Sequence, residues 1–274
     1  MRNELKDKSV LVTGGTAGIG LATALAFACQ QADVVVTYRW GSADPDDIAA
    51  AFAAAGARPP TILEADVTSP EATAEVFDVI GRTHTELFAL VSNVGFAQLV
   101  HGIDDYELKG LLQSIEYSAW PLASHLQAAR RRFSRWPRYA VAVSSCGVDE
   151  YHSNYDFAAS AKAVLETLVR YLAHRLRDEG CLVNGVRPRW VETESLTATV
   201  GPEFVETARR FHTPGLLQRT DEVANVILAL CSGYLDGMRG QVLTVDHGTR
   251  FYDNIMRHHA THSSDRGSDR AQDR

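Results

Sequence analysis

A tyrosine and a lysine seven residues apart, Tyr155 and Lys162 in NYDFAASAKAVLE, are the residues of this chain best suited to move a proton. A phenol with a pKa of about 10 donates a hydrogen bond to an oxygen that gains negative charge, and stays neutral before and after. A lysine cation nearby adds positive potential. Ser145 lies ten residues before Tyr155 and offers a second hydroxyl. Tyr151 lies four before it and is a candidate for the substrate side of the same pocket.

A second constellation points to phosphate. TGGTAGIG, Thr13 to Gly20, sits between a strand-like run and a helical pattern. Gly14, Gly18 and Gly20 let the backbone turn tightly and approach a pyrophosphate, whose charge rests at a helix N-terminus; Thr16 and Ile19 complete the turn. The next strand ends in TYRW, with Arg39 and no acid until Asp44. An acid there accepts from a ribose 2′-hydroxyl, whereas a base favours a 2′-phosphate. The reading is NADPH over NADH. Ala17, at a position often basic in NADP enzymes, speaks against it, and a solvated Arg39 stays open as the alternative.

These groups need a scaffold. SVLVTGG, DVVVTYR, PTILEADV, LFALVSNVG, YAVAVSS, CLVNGVRP and GQVLTVDHG are seven apolar runs separated by helical patterns. Runs this continuous belong to strands buried on both faces. The expectation is an α/β fold: a single doubly wound Rossmann domain with a seven-stranded parallel sheet over residues 1–252. The tail 253–274 lacks apolar residues and is expected to be disordered.

The bulk properties narrow the function. The chain has 274 residues, 45% hydrophobic, with a net charge of −7. That balance argues against nucleic acid as a partner. No apolar run reaches membrane-spanning length. The start carries no signal-like apolar segment, and Cys29, Cys146, Cys181 and Cys231 show no paired spacing, so a cytoplasmic protein with reduced thiols is expected. No histidine spacing calls for a metal.

The G-x3-G-x-G turn resembles the short-chain dehydrogenase/reductase family, and further segments agree from residue 8 to about 250. Asp66-Val67 resembles that family's adenine-contacting pair. SNVG places Asn93 and Gly95 where the family has Asn-Asn-Ala-Gly. VSSCG puts Ser145 at the catalytic serine. VNGVRP with Thr193 resembles the segment closing over the nicotinamide, which implies cofactor contacts from Pro188, Val191 and Thr193.

The family's usual tyrosine stands four before the lysine. Here that position is Ala158. Tyr155 and Lys162 instead resemble the Tyr-x6-Lys signature of the enoyl-acyl-carrier-protein reductases. VGFA (Val94 to Ala97), EYS around Tyr117, KAVLE, RYLA and HTPGLLQRT extend that match. The resemblance implies NADPH-dependent reduction of an enoyl thioester of coenzyme A or a carrier protein. Tyr155 stabilises the enolate, Ser145 assists and Lys162 binds ribose. It also implies a homo-oligomer, by family habit a tetramer. The displaced donor makes geometric sense, because the thioester oxygen lies three bonds from the carbon that accepts hydride, whereas a ketone oxygen lies on that carbon itself. A ketoreductase of secondary metabolism and a catalytically silent cofactor-binding protein remain as alternatives, and in the latter Tyr155 is merely structural.

Two features depart from the family. Pro188-Arg189 replaces Pro-Gly. Arg189 and Trp190, with Phe96, are candidates to shape the substrate mouth, and Arg189 either binds a phosphate or carboxylate or points to solvent. The arginines of ARRRFSRWPR either dock an acidic carrier protein or simply cap a helix.

Overall fold

A computed structural model of the chain describes residues 5–40, 44–96, 98–210, 216–253 and 256. The N-terminal half alternates strictly: β1 Ser9–Thr13, α1 Gly18–Cys29, β2 Asp33–Tyr38, α2 Pro45–Ala54, β3 Thr61–Glu64, α3 Pro70–Ile80 and β4 Ala89–Ser92. The helices after β2 and β3 start where the sequence places a cap. Asp44 accepts from the Asp46 amide and Ser69 from the Ala72 amide, each followed by a first-turn proline.

The next helical stretch breaks in two, α4 Leu108–Ser118 and α5 Trp120–Phe133. Pro121 sits in the first turn of the second piece and lacks the amide that would continue the first. Then follow β5 Tyr139–Val143, α6 Asp156–Arg175, β6 Leu182–Pro188, β7 Trp190–Val191, α7 Glu194–Val200, α8 Pro202–Arg210, β8 Leu217–Gln218, α9 Thr220–Leu230 and β9 Val242–Val245.

The main sheet has seven parallel strands in the order β3-β2-β1-β4-β5-β6-β9, as the apolar runs require. A second, two-stranded parallel sheet of β7 and β8 has no signal in the apolar runs. It pairs Trp190 with Leu217 and Val191 with Gln218. Two-residue strands carry no period, so sequence patterning reads them as loop.

Both faces of the sheet are covered. Val10, Val12, Val34 and Val36 pack toward Phe27 of α1 and the apolar side of α9. Their neighbours Leu11 and Val35 point the other way, toward Phe77, Leu122, Leu126 and Leu165 of α3, α5 and α6. Alternate residues of one strand thus feed two cores, and each buried large side chain contributes about 1.5–3 kcal/mol. No helix of the described residues is long and apolar enough to cross a membrane. The tail lies outside the described residues except for Asp253 and Met256. So do Ala97 of VGFA and residues 212–215 of HTPGLLQRT.

Candidate active site

The strand order reverses between β1 and β4, and a cavity of about 890 Å³ opens at their C-terminal ends. Such switch points are where doubly wound sheets bind ligands.

The glycine turn forms one wall, with Gly14, Thr16, Gly18 and Ile19 lining the cavity. Gly14 and Gly18 take φ of +63° and +53°, a region open to glycine. Gly20 does not line the cavity; it lets the turn close on itself. A Cβ there would stand 2.0 Å from the Gly14 carbonyl oxygen. Asn93 locks the turn from β4: its side-chain amide donates to the carbonyls of Thr13 (3.1 Å) and Gly14 (3.0 Å). These features fit a pyrophosphate held by backbone amides at the start of α1.

Tyr155 occupies the N-cap position of α6, and its ring lines the same cavity. Seven residues later Lys162 returns to nearly the same face of the helix. Ser145 follows β5 and caps a short turn, accepting from the Gly147 amide at 3.2 Å. Burial raises the phenol above its ordinary value of 10, a hydrogen bond from Ser145 pulls it back, and Cys146 pushes it up. The sequence makes Lys162 a source of positive potential for Tyr155; in the structure the phenol is shifted by its burial, Ser145 and Cys146, not by Lys162. Gly147 of the VSSCG segment lies against the Tyr155 ring, a role its place in the sequence does not signal. A Cβ at 147 would come 2.6 Å from the Tyr155 ring, so only glycine lets the ring pack there.

Lys162 is 6% exposed, and its Nζ donates to the Val143 carbonyl at 2.7 Å. Burial lowers its pKa from 10.5 to about 8. At 1.36 kcal/mol per pH unit, this buried cation costs the fold roughly 3 kcal/mol at neutral pH. Between pH 8 and 10.5 the unfolded chain holds the proton that the folded chain has lost, so stability rises with pH across that window. Lys162→Met is therefore expected to be more stable at pH 7 by about 1–2 kcal/mol, after loss of the Val143 hydrogen bond, while losing function. Urea melts at pH 7 and pH 10 check this. A wild-type pH slope persisting in the variant would refute it.

At the far end of the cavity, Arg39 lies within hydrogen-bonding reach of the Asp66 carboxylate and the Tyr117 hydroxyl. Its guanidinium also covers Trp40 at 4.2 Å. Trp40, Phe96 and Tyr117 pack mutually at centroid distances of 5.9, 5.5 and 5.3 Å. Arg39 is thus no free surface charge, and a 2′-phosphate would share it with Asp66. Val67 and Gly95 line this cavity too.

A family model described as Enoyl-(Acyl carrier protein) reductase matches residues 14–250. The protein belongs to the short-chain dehydrogenase/reductase family. This oxidoreductase is 28% identical to the enoyl-[acyl-carrier-protein] reductase [NADH] of Neisseria meningitidis serogroup B, covering 89% of this chain and 95% of the relative. It is 28% identical to the 1-cyclohexenylcarbonyl-CoA reductase of Streptomyces collinus, covering 87% and 85%. It is 27% identical to a glucose and ribitol dehydrogenase homolog of rice, covering 90% and 87%. Among solved structures, a Burkholderia cenocepacia short-chain dehydrogenase in complex with NADP superposes with a TM-score of 0.76 at 27% identity, over 88% of this chain and 97% of that one.

Other residues named from the sequence lie elsewhere in this family member. Of the closing segment, Thr193 lines the cavity and caps α7, while Pro188 and Val191 are buried in β6 and β7 behind it. Tyr151 is 86% exposed and does not join Tyr155. Arg189 neither points to solvent nor offers a free fork; it is bound to Glu150 at 2.9 Å and to the Thr249 hydroxyl at 3.1 Å. Trp190 stacks on His152 at 4.1 Å. The arginine cluster is largely committed as well, with Arg132, Arg135 and Arg138 paired to Asp78, Glu86 and Asp236. Sequence reasoning did not assemble the aromatic group. Its members stand at 40, 96 and 117, and only the order β2-β1-β4 brings them together.

Proposed function

We propose that the protein reduces the C=C bond of an α,β-unsaturated thioester with NADPH. The observation that carries this reading is the placement of Tyr155. Its phenol reaches the cavity beside Ser145, while Ala158, at the family's usual position, has no hydroxyl. A reduced nicotinamide held in the cavity supplies the hydride for the β-carbon. Tyr155, kept protonated at rest by its raised pKa, passes its proton to the thioester oxygen as enolate charge develops; the enol then tautomerises, placing a proton on the α-carbon, and solvent reprotonates the phenol. Ser145 steadies the phenol. Lys162 faces Gly95 and holds the ribose. Arg39 favours a 2′-phosphate, and the aromatic group packs beside it. The similarity to two enoyl-thioester reductases supports the reaction class. The substrate is carried on coenzyme A or a carrier protein, and the active form is a homotetramer.

Carbonyl reduction is the second reading, since the chain is also 26% identical to a mycobacterial 3-oxoacyl-[acyl-carrier-protein] reductase and Ser145 sits beside a phenol. Matched thioesters, unsaturated and β-keto, linear and cyclic, tested with NADPH and NADH, separate the readings. Oxidation of NADPH with the unsaturated members alone is expected. Turnover of the keto members alone would replace this proposal with a ketoreductase. Cofactor binding without any turnover would favour a silent binding protein.

A further inference from the structure

The loop between β5 and α6 carries both Ser145 and Tyr155. Turn hydrogen bonds hold its first part, from the amides of Val148, Asp149 and Glu150 to Ser145 and Cys146, and the Tyr155 amide donates to His152. Tyr155 has no side-chain cap to start α6, and Asn154 before it takes φ of +63°. Two neighbouring carboxylates in this loop, Asp149 and Glu150, are held from outside it.

Arg250, in the short turn after β9, bridges both: it reaches Asp149 at 3.0 Å and Glu150 at 2.8 Å. Arg189, between β6 and β7, holds the other oxygen of Glu150 at 2.9 Å and donates to Thr249 at 3.1 Å. Arg187 of β6 reaches Asp149 at 2.7 Å and also pairs with Glu166 of α6. Glu166, 2% exposed, accepts from Ser144 at 2.7 Å, and Arg170 approaches it from the rim at 3.4 Å. Cations and carboxylates therefore alternate in a continuous chain, from Arg170 to Arg189, joining the loop, β6, α6 and the C-terminal turn.

The chain of contacts continues to the reacting residue. Glu150 approaches Nε2 of His152 to 3.5 Å, close enough to pair electrostatically but without a hydrogen bond. The His152 side chain is 6% exposed and packs between Trp190, at 4.1 Å, and the Tyr155 ring, at 5.8 Å.

We propose that Arg189 and Arg250 are positioning residues: by gripping Glu150 they fix His152 and hence the phenol of Tyr155. Arg189 explains its own departure from the family pattern, since a glycine in its place supplies no cation for Glu150. The C-terminal turn, through Arg250, is then part of the active-site frame. This proposal rests on the reading of Tyr155 as the proton donor.

The test uses the full-length protein with tyrosine labelled at Cζ with ¹³C; the Tyr155 resonance is assigned by its loss in Tyr155→Phe. Arg250→Met and Arg250→Lys are compared, together with Glu150→Gln and the Glu150→Gln/Arg250→Met double variant. Arg250 is the partner of choice because its side chain is 30% exposed, so its loss threatens folding less than loss of Arg189. In Arg250→Met the Tyr155 resonance is expected to shift or broaden, while the dissociation constant for NADPH stays within about twofold. Turnover of the unsaturated thioester falls on the order of tenfold at little-changed KM, as expected for misplacement rather than lost binding. Arg250→Lys restores most of both signals, and the double variant loses no more than the worse single one. An unmoved Tyr155 resonance in folded Arg250→Met, or additive losses in the double variant, would overturn the proposal. Should the wild type reduce no enoyl thioester, the functional reading fails, and the resonance still decides whether the arginines set Tyr155.

Discussion

Tyr155→Phe is expected to lower enoyl-thioester reduction by about 10²–10⁴-fold, the usual worth of a positioned proton donor, while NADPH affinity stays within about twofold. The separation follows from the geometry. The ring packs against Gly147 and near His152, and phenylalanine keeps that packing. The lost hydroxyl leaves its place beside Ser145, so stability should change by about 1 kcal/mol or less. The substitution leaves the glycine turn and Lys162 unchanged, so on the proposed reading cofactor binding should hold. Single-turnover hydride transfer, cofactor titration and a thermal melt read the three quantities separately. A variant that reacts like the wild type would move the acid elsewhere. Ala158 carries no donor and Tyr151 is exposed, which would leave Ser145 as the nearest hydroxyl.

Gly20→Ala is expected to weaken NADPH binding by at least about 100-fold, the equivalent of roughly 3 kcal/mol. The reason is steric. The new Cβ would stand 2.0 Å from the Gly14 carbonyl oxygen and 2.7 Å from the Asn93 side-chain nitrogen. Neither can yield alone, because Asn93 is bonded to that same carbonyl. The turn must open, and with it the row of amides proposed to hold the pyrophosphate. Part of the cost appears as lower stability, about 1–3 kcal/mol for forced overpacking. Gly237→Ala is the control. Its Cβ meets nothing within 4 Å, so the change should stay within about 0.5 kcal/mol. Isothermal titration and urea melts of both variants make the comparison; equal affinities would show that the turn does not hold the cofactor.

The chain's local order was legible because local rules govern it. Continuous valine and leucine runs belong to strands covered on both faces, and Val10, Leu11 and Val12 indeed feed opposite cores. Asp44 and Ser69, each followed by proline, mark helix starts by hydrogen bonds that reach only two or three residues. The glycine turn could be read for the same reason: strand, turn and helix are contiguous. The spacing of Tyr155 and Lys162 was equally plain, being two turns of one helix.

Long-range pairing was not legible. Arg39 looked like an unencumbered base until β2, β3 and α4 placed Asp66 and Tyr117 against it. Arg189 had open alternatives, solvent or substrate, and the structure gave it neither. Glu150 and Thr249, 39 residues before it and 60 after, bind it inside the protein. Tyr151 and Tyr155 are one helical turn apart in sequence, but the chain between them is not helical, so one faces water and the other the cavity. The sequence by itself determined the fold class, the glycine turn and the candidate acid, because each rests on neighbours in the chain. Tertiary structure decided which charges are free and which are spent. Ion pairing depends on the distance between side chains in space, and residue types and spacing do not encode that distance.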